Sequence, residues 1–290
     1  MSRVAYAGRR YQPHGEAVTP IEDRGLQFAD GIYEVMEYFN HTLLDADGHM
    51  ERLERSLKEM HMPAPMTRAA MLHMLDELIR RNIRRHGLIY LQVNRGAAMR
   101  NHEIKPGMEP VVIAHILPRR TPSAEVYKKG IAAVTMQDIR WQRCDIKTVS
   151  LLGNILMKHD AAQQGAKDVI ILDEQENLRE SSSSNVFIVT GKGILTTPPK
   201  SHNILPGVTR VNIMRLAKEQ GIKVEERAIA KKELMAAKEC FVSNTSAHVL
   251  PVSSIDGKKI SDGIGPVTTA LLNAYHKEIL NLTGEQCPIL

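Results

Sequence analysis

The sequence predicts an α+β fold in two halves, with mixed sheets and helices outside them. Three observations point there. Strand-like alternation and helix-like periodicity are interleaved along the chain, but not as a regular βαβ series. A stretch with two prolines and no periodicity, residues 117–123, reads as a linker. The 290 residues suffice for two medium domains. The expected organisation is a smaller N-terminal α/β domain over residues 1–118, a linker at 119–123 and a larger C-terminal domain over 124–290.

Residues 4–11, with Gly8 at a turn, read as an opening hairpin. Residues 32–39 form a strand, and Asn40-His41 turns the chain into a short strand at 42–44. Asp47 is placed to cap a helix over 48–60, where Met50, Leu53 and Leu57 keep helical spacing. Pro63 and Pro65 end it. Thr67 caps a second helix, predicted to run to Arg85, with Gly87 past its end. Residues 88–94 and 110–116 alternate as strands.

Beyond the linker come a strand at 131–137, a helix at 151–164 closed by Gly165, and a strand at 168–172. Residues 186–189 and 193–196 read as a hairpin. A helix over 209–220 ends before Gly221. Strands at 223–228 and 240–242 flank a short helix at 232–238, and a strand at 249–255 precedes a closing helix at 267–282.

Composition narrows the function classes. With 43% hydrophobic and 24% charged residues, the profile is that of a soluble globular protein. No apolar run approaches a membrane span, and the N-terminus does not read as a signal peptide. Cys144, Cys240 and Cys287 are scattered, which suits neither a disulfide framework nor a zinc site and fits a reducing cytoplasm. Net charge is +5. The densest basic run, residues 79–86, opens a nucleic-acid-binding alternative. Aromatics are only 4%, however, and no RNA-binding aromatic motif accompanies the run, so a solvated helix face is the better reading.

The chain lacks G-x-G-x-x-G, P-loop, H-E-x-x-H and G-x-S-x-G motifs. The chemistry centres instead on residues 145–154, where Lys147 lies between a strand and a helix. Its amine can form Schiff bases with carbonyls. Alone it is one lysine among many, most of them surface charges. Four other stretches raise its standing. Residues 22–35 combine Gly25, Gly31 and Tyr33, and residues 95–102 place Arg100 and His102 on one loop, where an Arg fork can hold a carboxylate. Residues 178–187 set four serines behind Glu180, either as a plain turn or as donors round a polar group. Residues 204–209 open a helix at Gly207, whose free N–H groups attract phosphate or are simply capped. Together they suit pyridoxal phosphate (PLP), which needs an amine, a carboxylate for its ring nitrogen and a helix start for its phosphate.

On the runs Asp23-Arg-Gly-Leu-Gln-Phe-Ala-Asp-Gly-Ile-Tyr-Glu-Val35, Asp138-Ile-Arg-Trp-Gln-Arg-Cys-Asp-Ile-Lys147 and Ser181-Ser-Ser-Ser-Asn-Val-Phe187, the chain resembles the fold-type-IV PLP-dependent aminotransferases, and within them the D-amino acid aminotransferases. The resemblance covers essentially the whole chain. It implies that Lys147 binds the cofactor and moves the proton, and that Glu180 keeps the pyridine nitrogen protonated. Arg52 would hold the phosphate, helped by Val208, Thr209 and Thr245. From the residues alone, Arg52 reads as a helix surface residue. Tyr33, Arg100 and His102 match the trap for the substrate carboxylate, and the Arg and His would come from a partner subunit, so a homodimer is implied. D-amino acids and 2-oxo acids would be the substrates, with no nucleic acid, membrane or metal. Branched-chain L-amino acid aminotransferases and aminodeoxychorismate lyase share the fold and are the alternatives; the Arg100/His102 loop argues against them. Asn244, His248 and Ser181 depart from the D-enzyme pattern.

Overall fold

The computed structural model of the protein describes residues 3–119 and 121–285, so Cys287 lies outside the described residues. The chain divides into two units. The first holds the residues up to Arg119 together with Ile146–Ser150, and the second holds the rest. The sequence assigns Lys147 to the C-terminal domain, whereas the short segment that carries it packs with the N-terminal unit. Backbone pairing is the reason. Tyr33 donates its N–H to the Lys147 carbonyl at 2.9 Å, and Val149 donates to the Gly31 carbonyl at 3.0 Å. Ile146 then joins the unit's apolar core.

In chain order the first unit contains β1 (Val4–Ala7), β2 (Arg10–Pro13), α1 (Arg24–Phe28), β3 (Gly31–Phe39), β4 (Thr42–Leu43), α2 (Ala46–Glu59), α3 (Arg68–Asn82), β5 (His86–Asn94) and β6 (Val111–Leu117). Its sheet runs β2-β1-β6-β5-β3-β4, with every pairing antiparallel. The central pair, β3 with β5, is in register from Gly31 opposite Asn94 to Phe39 opposite His86. Alternate residues of these strands, Ile32, Met36, Ile89, Leu91 and Val93, share one core with Leu53 and Leu57 of α2 and Leu75 and Leu78 of α3. That alternation sends Tyr33 to the opposite face from Ile32 and Glu34.

Three boundaries differ from expectation. Helix α2 is capped at Asp45, in a left-handed conformation, and Asp47 falls in its first turn. Thr67 does cap α3, accepting from the Ala70 N–H at 3.2 Å. That helix ends at Asn82 rather than Arg85, because Ile83 takes the left-handed position that terminates it. Gly87 lies inside β5, where an added Cβ would crowd the Tyr38 hydroxyl at 2.8 Å. Two arginines of the basic run are spent within the helix, Arg80 on Asp76 and Arg81 on Glu77, each at 2.8 Å.

The second unit contains α4 (Ala124–Lys129), β7 (Ile131–Gln137), α5 (Leu152–Gln163), β8 (Asp168–Leu172), β9 (Leu178–Ser181), β10 (Asn185–Val189), β11 (Leu195–Thr197), α6 (Val208–Glu219), β12 (Val224–Glu226), α7 (Lys231–Leu234), β13 (Glu239–Asn244), β14 (His248–Ile255), β15 (Lys258–Lys259) and α8 (Pro266–Thr283). Its mixed sheet runs β12-β11-β10-β13-β14-β7-β8-β9, with β15 paired to β14. Strands β7 and β8 are parallel, and α5 is the crossover between them. Both faces of β8 are covered. Val169 and Ile171 meet Met157 and Ala161 of α5, while Ile170 and Leu172 join the core with Val186 and Ile188. That explains why all five residues of β8 are buried, without polar alternation.

Candidate active site

The Lys147 segment pairs with β3 through its backbone. The Lys147 Nζ lies 4.3 Å from the centroid of the Tyr33 ring, a cation–π contact. Tyr33 in turn stacks on Tyr90 of β5, ring to ring at 5.6 Å. The Tyr90 hydroxyl donates to Gln92 at 2.7 Å, Gln92 donates to Asn94 at 2.6 Å, and Asn94 donates to Asp23 at 2.7 Å. These three residues recur at every second position of β5, so one strand face carries a continuous hydrogen-bonded row beneath the lysine's aromatic support. Burial, and then the neighbouring Tyr33, push the Tyr90 phenol up to about 12, so it stays a neutral donor.

Arg52 is no surface residue. It is 8% exposed, on the inner side of α2. Its Nε and Nη2 donate to the two oxygens of Glu34 at 2.8 and 2.7 Å, and His49 Nδ1 meets the same carboxylate at 2.7 Å. Burial alone would push Glu34 up. The Arg52 charge, its fork and the His49 contact outweigh that and hold the carboxyl down at about 2. Burial likewise opposes the charge on Arg52, but Glu34, and more weakly the Tyr33 phenol, keep it firmly protonated.

Arg100 and His102 occupy the loop after β5 and are both exposed. The structure brings these two together on the ring of Phe28, whereas Tyr33 belongs to the cluster around Lys147. The Arg100 guanidinium carbon lies 4.7 Å from the Phe28 centroid, and the His102 ring meets it edge-on at 5.3 Å.

The second unit carries Glu180, Val208, Thr209 and Thr245. Glu180 is buried on β9. It pairs with Arg140, whose Nε and Nη2 both hold Asp138 at 2.9 Å. Asn185 donates to the second Glu180 oxygen at 3.3 Å, and the Leu205 N–H does so at 3.1 Å. Burial opposes the charges of Arg140 and Asp138, but their forked contact dominates, raising the arginine and lowering the aspartate. Burial lifts the nearby Cys144 thiol to about 11, which keeps it protonated at neutral pH.

Three of the four serines make hydrogen bonds within the fold. Ser182 and Ser181 donate to the buried Asp168 at 2.6 and 3.3 Å, and Ser184 accepts from Asn244 at 2.7 Å. Helix α6 starts at Val208 behind Gly207, with no side chain capping it, and Thr209 is buried in its first turn. A Cβ on Gly207 would overlap the side-chain oxygen of Asn185, so backbone lies against side chain there. Thr245 occupies the tip of the β13–β14 hairpin. Asn244 shapes that tip by accepting from the N–H groups of Ser246 and Ala247 at 3.0 and 2.8 Å. His248 closes the hairpin with φ 57° and bonds to His276 at 3.0 Å.

The sequence missed Glu34 and His49 as holders of Arg52, Arg140 as partner of Glu180, and Phe28 as support for the loop. Glu34 and Phe28 lie in residues 22–35 and Arg140 in residues 138–147, stretches singled out from the sequence. Glu34, the fourth residue of β3, is a glutamate inside a largely apolar strand, a mild signal of a buried ion pair.

The chain was compared with known proteins. Residues 31–255 match the family model described as amino-transferase class IV. The D-alanine aminotransferase of Bacillus licheniformis is 38% identical over 284 residues, covering 98% of this chain and 99% of that one. The D-alanine aminotransferase of Staphylococcus haemolyticus is 38% identical over 281 residues, covering 96% and 98%. Among solved structures, the branched-chain amino acid aminotransferase of Escherichia coli superposes with a TM-score of 0.90 at 25% identity, over 99% of this chain and 97% of that one.

Proposed function

Because this chain belongs to the class IV aminotransferases, we propose that it moves the amino group of a D-amino acid, such as D-alanine, to a 2-oxo acid, such as 2-oxoglutarate. The products are then pyruvate and D-glutamate. The observation that carries the reading is the match, over nearly the whole chain, to relatives named D-alanine aminotransferase. The branched-chain alternative has only the shared fold behind it, at 25% identity. The chain works as a homodimer in the cytoplasm. Two buried free thiols, Cys144 and Cys240, and the absence among the described residues of a helix long and apolar enough to cross a membrane are compatible with that setting.

PLP is the cofactor, and when bound it supplies an aldehyde that takes up the amino group and a ring that accepts electrons. The chain's own groups fit it. An amine lies on an aromatic face at Lys147, a carboxylate is buried at Glu180, and a glycine-started helix without a side-chain cap begins at Val208. Lys147 would hold the cofactor through its amine, and the same amine would carry the proton at the substrate α-carbon. Glu180 keeps the pyridine nitrogen protonated, because opposite charges at close range favour ionisation of both. Arg140 and Asn185 aim that carboxylate. Arg52 holds the phosphate with the N–H groups of Val208 and Thr209 and with Thr245. One edge of a guanidinium can bind a carboxylate while another meets a phosphate. Tyr33, Arg100 and His102 bind the substrate α-carboxylate, with Arg100 and His102 serving the partner subunit's site.

The test follows the PLP absorbance of the loaded protein. D-alanine added alone should bleach the visible band and release one pyruvate per site, and 2-oxoglutarate should restore the band. A band indifferent to D-alanine would overturn the reading.

A further inference from the structure

We propose that Phe28 and Arg24 are positioning residues that hold Arg100 and His102 in the geometry needed to grip a substrate carboxylate. The inference rests on the D-amino acid reading above and adds what makes that grip selective. The two residues are four apart on α1, so they share one face of the short helix. That helix is pinned at its start. Asp23 accepts from the Gly25 N–H at 2.8 Å and from Asn94 at 2.7 Å, and Gly25 lies so close to Asn94 that a side chain there has no room.

The base of the loop is stitched to the same helix by backbone. Arg24 donates its N–H to the Gly96 carbonyl at 3.0 Å, and Ala98 donates to the Glu22 carbonyl at 3.2 Å. The loop beyond Ala98 is then held by side chains. Arg24, 6% exposed and paired to Asp30 at 2.8 Å, turns its guanidinium to three successive carbonyls. It donates to Asn101 at 2.5 Å, His102 at 3.3 Å and Glu103 at 3.5 Å. The Arg24 guanidinium also lies 4.9 Å from the Phe28 centroid. That ring therefore meets Arg24, Arg100 and His102 together. Arg95 donates to the same Asp30 oxygen, Oδ2, also at 2.8 Å.

Exposed Arg100 and His102 would otherwise sample many rotamers, and a carboxylate would have to order both on binding. The ring removes that cost beforehand. The clamp lies within one protomer, so it works whichever subunit's site the loop serves.

Phe28→Leu keeps an apolar side chain and removes the aromatic face. An exposed cation–π contact is worth roughly 2- to 5-fold in an equilibrium constant, and the edge contact of His102 adds a similar factor. The half-saturating concentration of D-alanine should therefore rise roughly 5- to 20-fold, with kcat within about twofold, because ground state and transition state lose the same contact. The dissociation constant of propionate, a carboxylate without an amino group, should rise by the same factor when measured by calorimetry on the PLP-loaded protein. Phe28→Tyr should restore both values. Arg24→Lys, which keeps a charge for Asp30 but cannot fork to three carbonyls, should shift them in the same direction and serves if Phe28→Leu does not fold. In an Arg100→Ala background, Phe28→Leu should add nothing beyond about twofold.

Wild-type constants in both Phe28→Leu and Arg24→Lys, or an equal effect of Phe28→Leu with and without Arg100, would overturn the proposal while leaving the trap in place. An Arg100→Ala protein that binds D-alanine and propionate like wild type would instead remove the trap itself, and the clamp with it.

Discussion

Glu34→Gln takes one charge out of the buried cluster that holds Arg52. The carboxylate is fully buried and receives both Arg52 donors and His49, at 2.7 to 2.8 Å. Removing one partner of a buried ion pair typically costs about 3–5 kcal/mol, because the other charge is left uncompensated. The shift of Glu34 from 4.5 to about 2 agrees in size. At about 1.4 kcal/mol per pH unit it corresponds to about 3 kcal/mol. The sign follows from the direction. A carboxyl held below its ordinary value contributes its full stability above about pH 4.5 and loses it as pH falls towards 2. Urea unfolding at pH 7 should therefore show a lower midpoint with an unchanged slope, equivalent to a loss of about 3 kcal/mol. At pH 3.5 the deficit should have narrowed by about 1 kcal/mol. The same variant should bind PLP more weakly, because Arg52 loses the partner that aims it. A loss under about 0.5 kcal/mol, or a deficit that does not change with pH, would refute the reasoning.

Lys147→Ala should end borohydride trapping of PLP and catalysis together, and an adduct mapped by mass spectrometry to Lys158 or Lys167 in the wild-type protein would contradict the assignment. Glu180→Gln keeps shape and removes charge, so turnover should fall far more than PLP affinity; unchanged single-turnover rates would count against it. Arg100→Ala should raise the half-saturating concentrations of D-alanine and of 2-oxo acids alike, roughly 30- to several-thousand-fold for about 2–5 kcal/mol of lost contact, while the visible band survives. Gly207→Ala should weaken PLP binding, since its Cβ would overlap Asn185 at the start of α6; equal affinity by equilibrium dialysis would show that the approach has slack.

Much of the fold was legible because long elements carry their own periodicity. The α2 stripe of Met50, Leu53 and Leu57 and the Thr67 cap follow from local rules, and both appear in the structure. The short elements α1, α4, β9 and β15 span two to six residues, too few for a period to register. The end of α3 was illegible for another reason, since Ile83 takes a left-handed conformation that its sequence does not favour. The lysine was legible as chemistry but not as packing. Its segment joins the first unit through hydrogen bonds to Gly31 and Tyr33, more than a hundred residues away, which no local pattern encodes. Arg52 shows the same limit. Its helix position looks exposed until Glu34 arrives from β3 to neutralise it.

The central claim is that D-amino acids are the amino donors. The wild-type protein, loaded with PLP, should be offered D-alanine and L-leucine separately, each with 2-oxoglutarate, and the 2-oxo acid product measured. The account predicts steady pyruvate production from D-alanine and no turnover of L-leucine. Turnover of L-leucine without turnover of D-alanine would contradict it, and would leave Arg100 and His102 without their proposed carboxylate.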